Sequence, residues 1–343
     1  MQMKPRHIII SRTDSIGDVM LTFPLLGLLK QKYPDIRITF LGMNYTRPVI
    51  MSCSHVDDFL DWNEMQSQTA AAKVSLLKSM EADTILHVFP RKEIAQLARK
   101  AGIPVRIGTT GRIYHWLNCN HLVGLSRKNS PFHEAQLNIM LAKKLLGQPT
   151  LPLDKISGFY GFNKIVKLPD ELASLIDPVR FNLILHPKSK GSAREWGSDN
   201  FAKLSVLLPH SLFKIFVTGT KAEGDLLIQE GFFDKATNVT DLTGKMSLEK
   251  MISFINAADG LIAASTGPLH VAAASGKIAL GIYPPIRPMH PGRWAPVGQK
   301  AGFIVEQKEC SDCRKEGNCQ CMLNISPQQV KLKLESMLND DFQ

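Results

Sequence analysis

Short runs rich in β-branched residues alternate with longer stretches of helical period along most of this chain, which leaves few folds open besides a parallel sheet with helices on both faces. The spacing predicts strands over residues 7–11, 36–41, 83–89 and 105–108. Helices are expected from the end of the first strand to about residue 33 and over 45–54, 92–101 and 133–146. Between 147 and 178 the pattern loosens around Pro149, Pro152, Pro169 and Pro178, and this stretch reads as a connection between domains. The alternation then restarts, with strands at 181–186, 214–218, 260–264 and 278–282 and helices at 199–208, 222–230, 248–257 and 268–274.

A chain of 343 residues exceeds the size at which one hydrophobic core keeps growing. The expected architecture is therefore α/β, with two Rossmann-like domains facing across a cleft. The first spans 1–165 and the second 166–325, and a C-terminal helix at 326–343 is free to pack back on the first. The halves share architecture without visible sequence repetition, so they are domains rather than units of a repeat array. Their cleft is the default ligand site.

The start carries Lys4 and Arg6 but only the short apolar run Ile8, Ile9, Ile10, too short for a signal peptide. No uncharged run approaches the roughly 18 to 20 apolar residues of a membrane span. The expected location is the cytoplasm, where the six cysteines stay thiols. Lys and Arg outnumber Asp and Glu by 41 to 31, and the net charge of +10 favours an anionic partner: a phosphorylated substrate, an anionic membrane face or nucleic acid. Zinc-finger spacing, an RNP-like aromatic motif and a long basic helix are all missing, which argues against nucleic acid.

Five stretches carry candidate chemistry. Residues 11–24 run from the first strand into a helix and place Asp18 near its N-terminus. A carboxylate there either complements the helix dipole or accepts a proton as a general base. The glycines of a dinucleotide fingerprint are missing. His186, Lys188, Ser192 and Arg194 gather in a basic loop after a strand, suited to a diphosphate or simply solvated. In 263–274, Ser265 or Thr266 can cap a helix opened by Gly267 and Pro268, leaving N–H groups for a phosphate, with His270 inside the helix as a ligand contact or a core histidine. Residues 284–296 form a proline-stiffened loop, either a binding edge or a structural lid. Cys310, Cys313, Cys319 and Cys321 are closely spaced thiols that depart from paired metal knuckles, a weak candidate for structural metal.

Taken in order, these segments resemble glycosyltransferase family 9, the ADP-heptose:lipopolysaccharide heptosyltransferases. The resemblance rests on Ile16-Gly17-Asp18-Val19, on His186-Pro187 with Ser192-Ala193-Arg194 and Trp196, on Ser265 to His270, on Arg293 to Pro296 and on the late cysteines. It implies a GT-B fold, inversion at the sugar, ADP-heptose as donor and the lipopolysaccharide inner core, or another lipid-linked acceptor, as partner. Asp18 matches the family's catalytic aspartate, and Arg12, Ser15 and Gly17 fall on the acceptor side. Arg194 matches a donor-phosphate position, Glu223 an acid near the donor ribose, and Thr266, Gly267 and His270 the phosphate-binding turn. Ser265 stands where family members often carry aspartate, which leaves open transfer of another nucleotide sugar or a silent nucleotide-sugar-binding paralogue. No cofactor is expected. The chain has no Asp-x-Asp motif, which favours cationic side chains and a helix terminus over a metal clamp. The positive charge suits a peripheral contact with the inner face of the inner membrane.

Overall fold

The protein is described by a computed structural model that covers residues 4–127, 130–189, 191, 193–287, 289–307 and 319–340. It divides into two compact units, Met1–Lys164 and Ile165–Gln343. The first is built on six parallel strands: β1 His7–Ser11, β2 Arg37–Gly42, β3 Asp58–Asp61, β4 Thr84–His87, β5 Val105–Thr109 and β6 His121–Val123. Their spatial order is β3-β2-β1-β4-β5-β6. The second unit repeats this wiring with β7 Phe181–His186, β8 Phe213–Val217, β9 Val239–Asp241, β10 Gly260–Ala264, β11 Ile278–Tyr283 and β12 Ala301–Val305, ordered β12-β11-β10-β7-β8-β9. Each sheet thus has the doubly wound order, reversing direction between β1 and β4 and between β7 and β10.

The central strands are mostly apolar and buried because helices cover both faces. Every residue of β1, β4, β10 and β11 is buried. The second unit's core closes around Trp196, whose indole stands edge-on to Phe201 at 4.9 Å and donates to the Ile325 carbonyl at 2.7 Å.

Two expected helices are each divided. The first appears as Ile16–Met20 and Phe23–Lys32, because Pro24 has no N–H and its ring clashes with a helical carbonyl four residues back; it sits instead in the first turn of the second piece. The helix expected over 133–146 appears as Glu134–Leu141 and Lys143–Leu146. The last helix, Pro327–Asp340, buries Val330 and Leu334 in the second unit's core and packs on helix Ser198–Leu207 and on β11 and β12. It therefore belongs to the second unit, whereas the sequence had allowed it to return to the first. None of the helices among the described residues is long and apolar enough to cross a membrane.

Candidate active site

Three of the loops singled out above leave the sheets at the switch points: 12–15 after β1, 187–197 after β7 and 265–266 after β10. Neighbouring crossovers depart to opposite faces there, so the carboxyl ends of the strands are left accessible to a ligand.

In the first unit, Asp18 lies in the first turn of helix Ile16–Met20, with its side chain 17% exposed. Ser15, the N-cap residue, donates its hydroxyl to the Asp18 carboxylate instead of capping a backbone N–H. The second partner is Arg12, whose guanidinium pairs with the same carboxylate through Nη2. Arg12 is itself 1% exposed. Its Nε donates to Asp14 at 2.8 Å, and its Nη1 donates to Glu134 at 3.1 Å and Asn138 at 3.2 Å. Glu134 is fully buried and also pairs with Arg127. Asn138 accepts from Arg127 at 3.0 Å and donates to the Leu21 carbonyl at 2.9 Å, just past the short helix that carries Asp18.

Arg12, placed on the acceptor side from sequence, is enclosed, and its donors are directed to acids and an amide of its own unit. It holds the Asp18 carboxylate in place from beneath. Ser15 is exposed and Gly17 half-buried, both beside Asp18.

Asp14, Arg127, Glu134 and Asn138 were not singled out from sequence. Glu134 and Asn138 lie 122 and 126 residues from Arg12, so no local spacing could have linked them. Burial pushes the Asp14 carboxyl up to about 6; Arg12 opposes the rise and the neighbouring charge of Asp18 adds to it. A carboxyl raised in the folded state contributes stability that is fully present below its unfolded pKa and is lost as pH rises through about 6. In denaturant titrations the stability of the wild-type chain relative to Asp14→Asn should fall as pH rises from about 4 to about 7. Parallel curves for the two proteins would contradict the assignment.

In the second unit, His186 ends β7, buried and hydrogen-bonded to Thr218 Oγ1 at 3.0 Å. Burial lowers its pKa, so the ring is neutral near pH 7. Lys188 is also buried; burial disfavours its charge, but Glu230 at 2.6 Å and Glu195 at 3.4 Å outweigh this and raise its pKa. Its ammonium is thereby balanced within the unit, which leaves less of its charge for a diphosphate than the sequence suggested. Arg194 is half-buried, and Ser192 lies outside the described residues. Glu223 closes a capping box: its Oε2 accepts from the Thr220 backbone N–H at 2.7 Å and hydroxyl at 2.9 Å. The Thr-x-x-Glu spacing that signals such a box was present in the sequence but was not used.

The loop after β10 leads into helix Gly267–Ala274 with Thr266 as N-cap and Pro268 in the first turn. Thr266 makes no side-chain cap bond, and its buried hydroxyl has no partner among the described residues. A buried hydroxyl left unmatched beside the N–H groups opening a helix is suited to an anion. His270 is buried within the same helix. Ser265 bonds to the Tyr283 hydroxyl, which donates to the Trp294 carbonyl at 2.5 Å. That chain ties the helix-opening loop to the proline-rich segment, where the Arg293 guanidinium stacks 4.7 Å from the Trp294 ring centroid.

Cys319 and Cys321 are buried in the second unit's apolar core, while Cys310 and Cys313 lie outside the described residues. Among the described residues no group of three or more His, Cys, Asp or Glu could hold a metal ion.

The profile of glycosyltransferase family 9 (heptosyltransferase) matches residues 74–322. A glycosyltransferase candidate from Haemophilus influenzae is 24% identical, over 84% of this chain and 86% of its own. Lipopolysaccharide heptosyltransferase 2 of Salmonella typhimurium is 22% identical over 97% of this chain and 99% of its own. Among solved structures, the Escherichia coli ADP-heptose lipopolysaccharide heptosyltransferase II superposes with a TM-score of 0.75 at 20% identity, covering 98% of this chain and all of the other, so the fold is GT-B. With the family profile covering well over half of its length, this chain is a glycosyltransferase of family 9.

Proposed function

We propose that the chain is an inverting heptosyltransferase that moves heptose from ADP-heptose to the lipopolysaccharide inner core, with Asp18 as the general base. The observation that carries the mechanism is the Asp18 carboxylate, partly exposed at the carboxyl edge of β1 and oriented by Arg12 and Ser15. It takes the proton of an acceptor hydroxyl as the oxygen bonds to the anomeric carbon. The bond from that carbon to the diphosphate breaks, ADP leaves with the electron pair, and the sugar configuration inverts. The choice of substrates is supported by the relatives, named as heptosyltransferases of lipopolysaccharide and, in one solved structure, of ADP-heptose. These substrates would set the enzyme to work on the cytoplasmic face of a membrane.

On this reading the second unit takes the nucleotide sugar. Thr266, Gly267 and the N–H groups opening the helix hold the diphosphate, with Arg194, His186 and His270 beside it; the lack of an Asp-x-Asp motif favours a metal-independent leaving-group site. A Thr266→Val variant tests this directly. Removing an unmatched buried hydroxyl should leave thermal stability unchanged or slightly higher, while ADP affinity measured by calorimetry falls roughly 10- to 100-fold, the worth of a hydrogen bond to a charged group. Unchanged affinity would remove the phosphate role from this turn.

The overall reading is tested by incubating the purified chain with ADP-heptose, core acceptors and a chelator and following the product by mass spectrometry; a heptosylated acceptor is expected. A second reading, transfer of another sugar, is favoured by Ser265, whose hydroxyl is engaged by Tyr283 where an acid would meet the donor. Preference for a UDP- or GDP-sugar in competition assays would replace heptose with that sugar. Donor binding without product from any acceptor would mark a silent paralogue.

A further inference from the structure

Three large apolar side chains stand in solvent within one short helix, Ile113–Asn118: Ile113 is 84% exposed, Trp116 61% and Leu117 67%. The helix is nonetheless fixed from below. His115 is fully buried, the Tyr114 hydroxyl donates to the Pro90 carbonyl at 2.9 Å, and the Trp116 indole N–H donates to the Thr110 carbonyl at 3.0 Å. With its one polar atom already satisfied, the indole presents hydrocarbon outward.

The patch is bounded by cations. Arg112 is the N-cap residue of the helix and is exposed. At the other end Arg99 donates to the Leu117 carbonyl at 2.6 Å and Arg106 to the Asn118 carbonyl at 2.7 Å. Among the described residues none of these three arginines pairs with a carboxylate. An aromatic and aliphatic centre with a guanidinium rim matches the boundary of an anionic bilayer, where tryptophan settles at headgroup level and each basic residue adds attraction. A second copy of this chain would set like charges against like, which disfavours self-association through this face. The patch also lies near the candidate acid's edge of the sheet: Thr110 follows the end of β5, two strands from β1, or roughly 10 Å along the sheet.

We propose that helix Ile113–Asn118 is a membrane-docking element that seats the first unit on an anionic phospholipid surface, Ile113, Trp116 and Leu117 entering the interface and Arg99, Arg106 and Arg112 meeting lipid phosphates. The inference does not depend on which sugar is transferred.

The test is cosedimentation of the full chain with vesicles of phosphatidylethanolamine and phosphatidylglycerol, alongside vesicles of phosphatidylcholine. The wild-type chain should partition onto the anionic vesicles with a blue shift in tryptophan emission. The variant Ile113→Ser/Trp116→Ser/Leu117→Ser should bind them at least about tenfold more weakly while turning over a soluble acceptor normally. Arg99→Gln/Arg112→Gln should lose the preference for anionic over neutral lipid. Should the triple variant fail to fold, Trp116→Glu alone supplies the same comparison. Equal binding by wild type and variant would overturn the proposal, as would wild-type dimers in sedimentation velocity that the triple variant converts to monomers.

Discussion

Asp18→Asn should lower kcat by roughly 10²- to 10⁴-fold, the usual contribution of a positioned general base, while donor affinity stays within about threefold of wild type. The side-chain amide keeps the shape of the carboxylate; its one oxygen can still accept from Arg12 while its N–H group donates to the Ser15 hydroxyl, so the loop should hold its place. Basicity and the negative charge are lost. The variant carries a second readout, which reports on the charge at Asp18. The Asp18 charge helps to raise the Asp14 carboxyl to about 6, so the Asp14 midpoint should move down once that charge is gone. Carboxyl-carbon NMR titration of both proteins would show the shift. Turnover within a few fold of wild type would refute the base role, and a kcat loss with collapsed donor binding would point instead to damage in the fold.

How much of this was legible in the sequence depends on how local each determinant is. The eight interior strands of the two sheets could be read because both faces are covered, and β1, β4, β10 and β11 are buried along their whole length. The four strands not anticipated, β3, β6, β9 and β12, are the outermost strands of the two sheets. Edge strands face helices less completely, and here they are partly exposed: β9 has only half-buried residues and β12 includes an exposed Phe303. The runs of β3, β6 and β9 are three or four residues long and carry polar positions, so they lack the continuous apolar signal that marks an interior strand, whereas β12 has an apolar run that was not anticipated. The same contrast governs the site. The loops after β1, β7 and β10 were found because strand ends, small residues and capping patterns are written in consecutive positions. The contacts that fix Asp18 were not, since Glu134 and Asn138 belong to a helix more than a hundred residues away. The enclosure of Arg12 was not legible either, because an arginine is seldom buried unless acids elsewhere in the chain compensate it, and those acids were not visible from the loop itself.

That buried compensation makes Glu134→Ala the substitution with the largest expected effect on stability. Two guanidinia, Arg12 and Arg127, converge on the fully buried Glu134 carboxylate. Removing it leaves the enclosed Arg12 and the partly exposed Arg127 without the carboxylate they share, with Asn138 still accepting from each. Breaking a buried pair in this way costs about 3 to 5 kcal/mol, because the remaining charges keep their desolvation penalty and lose a shared partner. In a unit of this size that is roughly 6 to 20 °C in the melting temperature of its transition, which differential scanning calorimetry would resolve. Charge, rather than lost volume, is the cause on this account. Pairing the change with removal of one cation, as Arg127→Met/Glu134→Leu, should therefore recover much of the loss, since buried ion pairs replaced by apolar groups of similar size are often neutral or stabilising. Arg12 would keep Asp14 and Asp18 as partners in that double variant, so the acid stays oriented and part of the turnover returns with the stability. A drop below about 1 kcal/mol for Glu134→Ala, or a double variant no more stable than the single, would show that the network under Asp18 does not depend on this carboxylate.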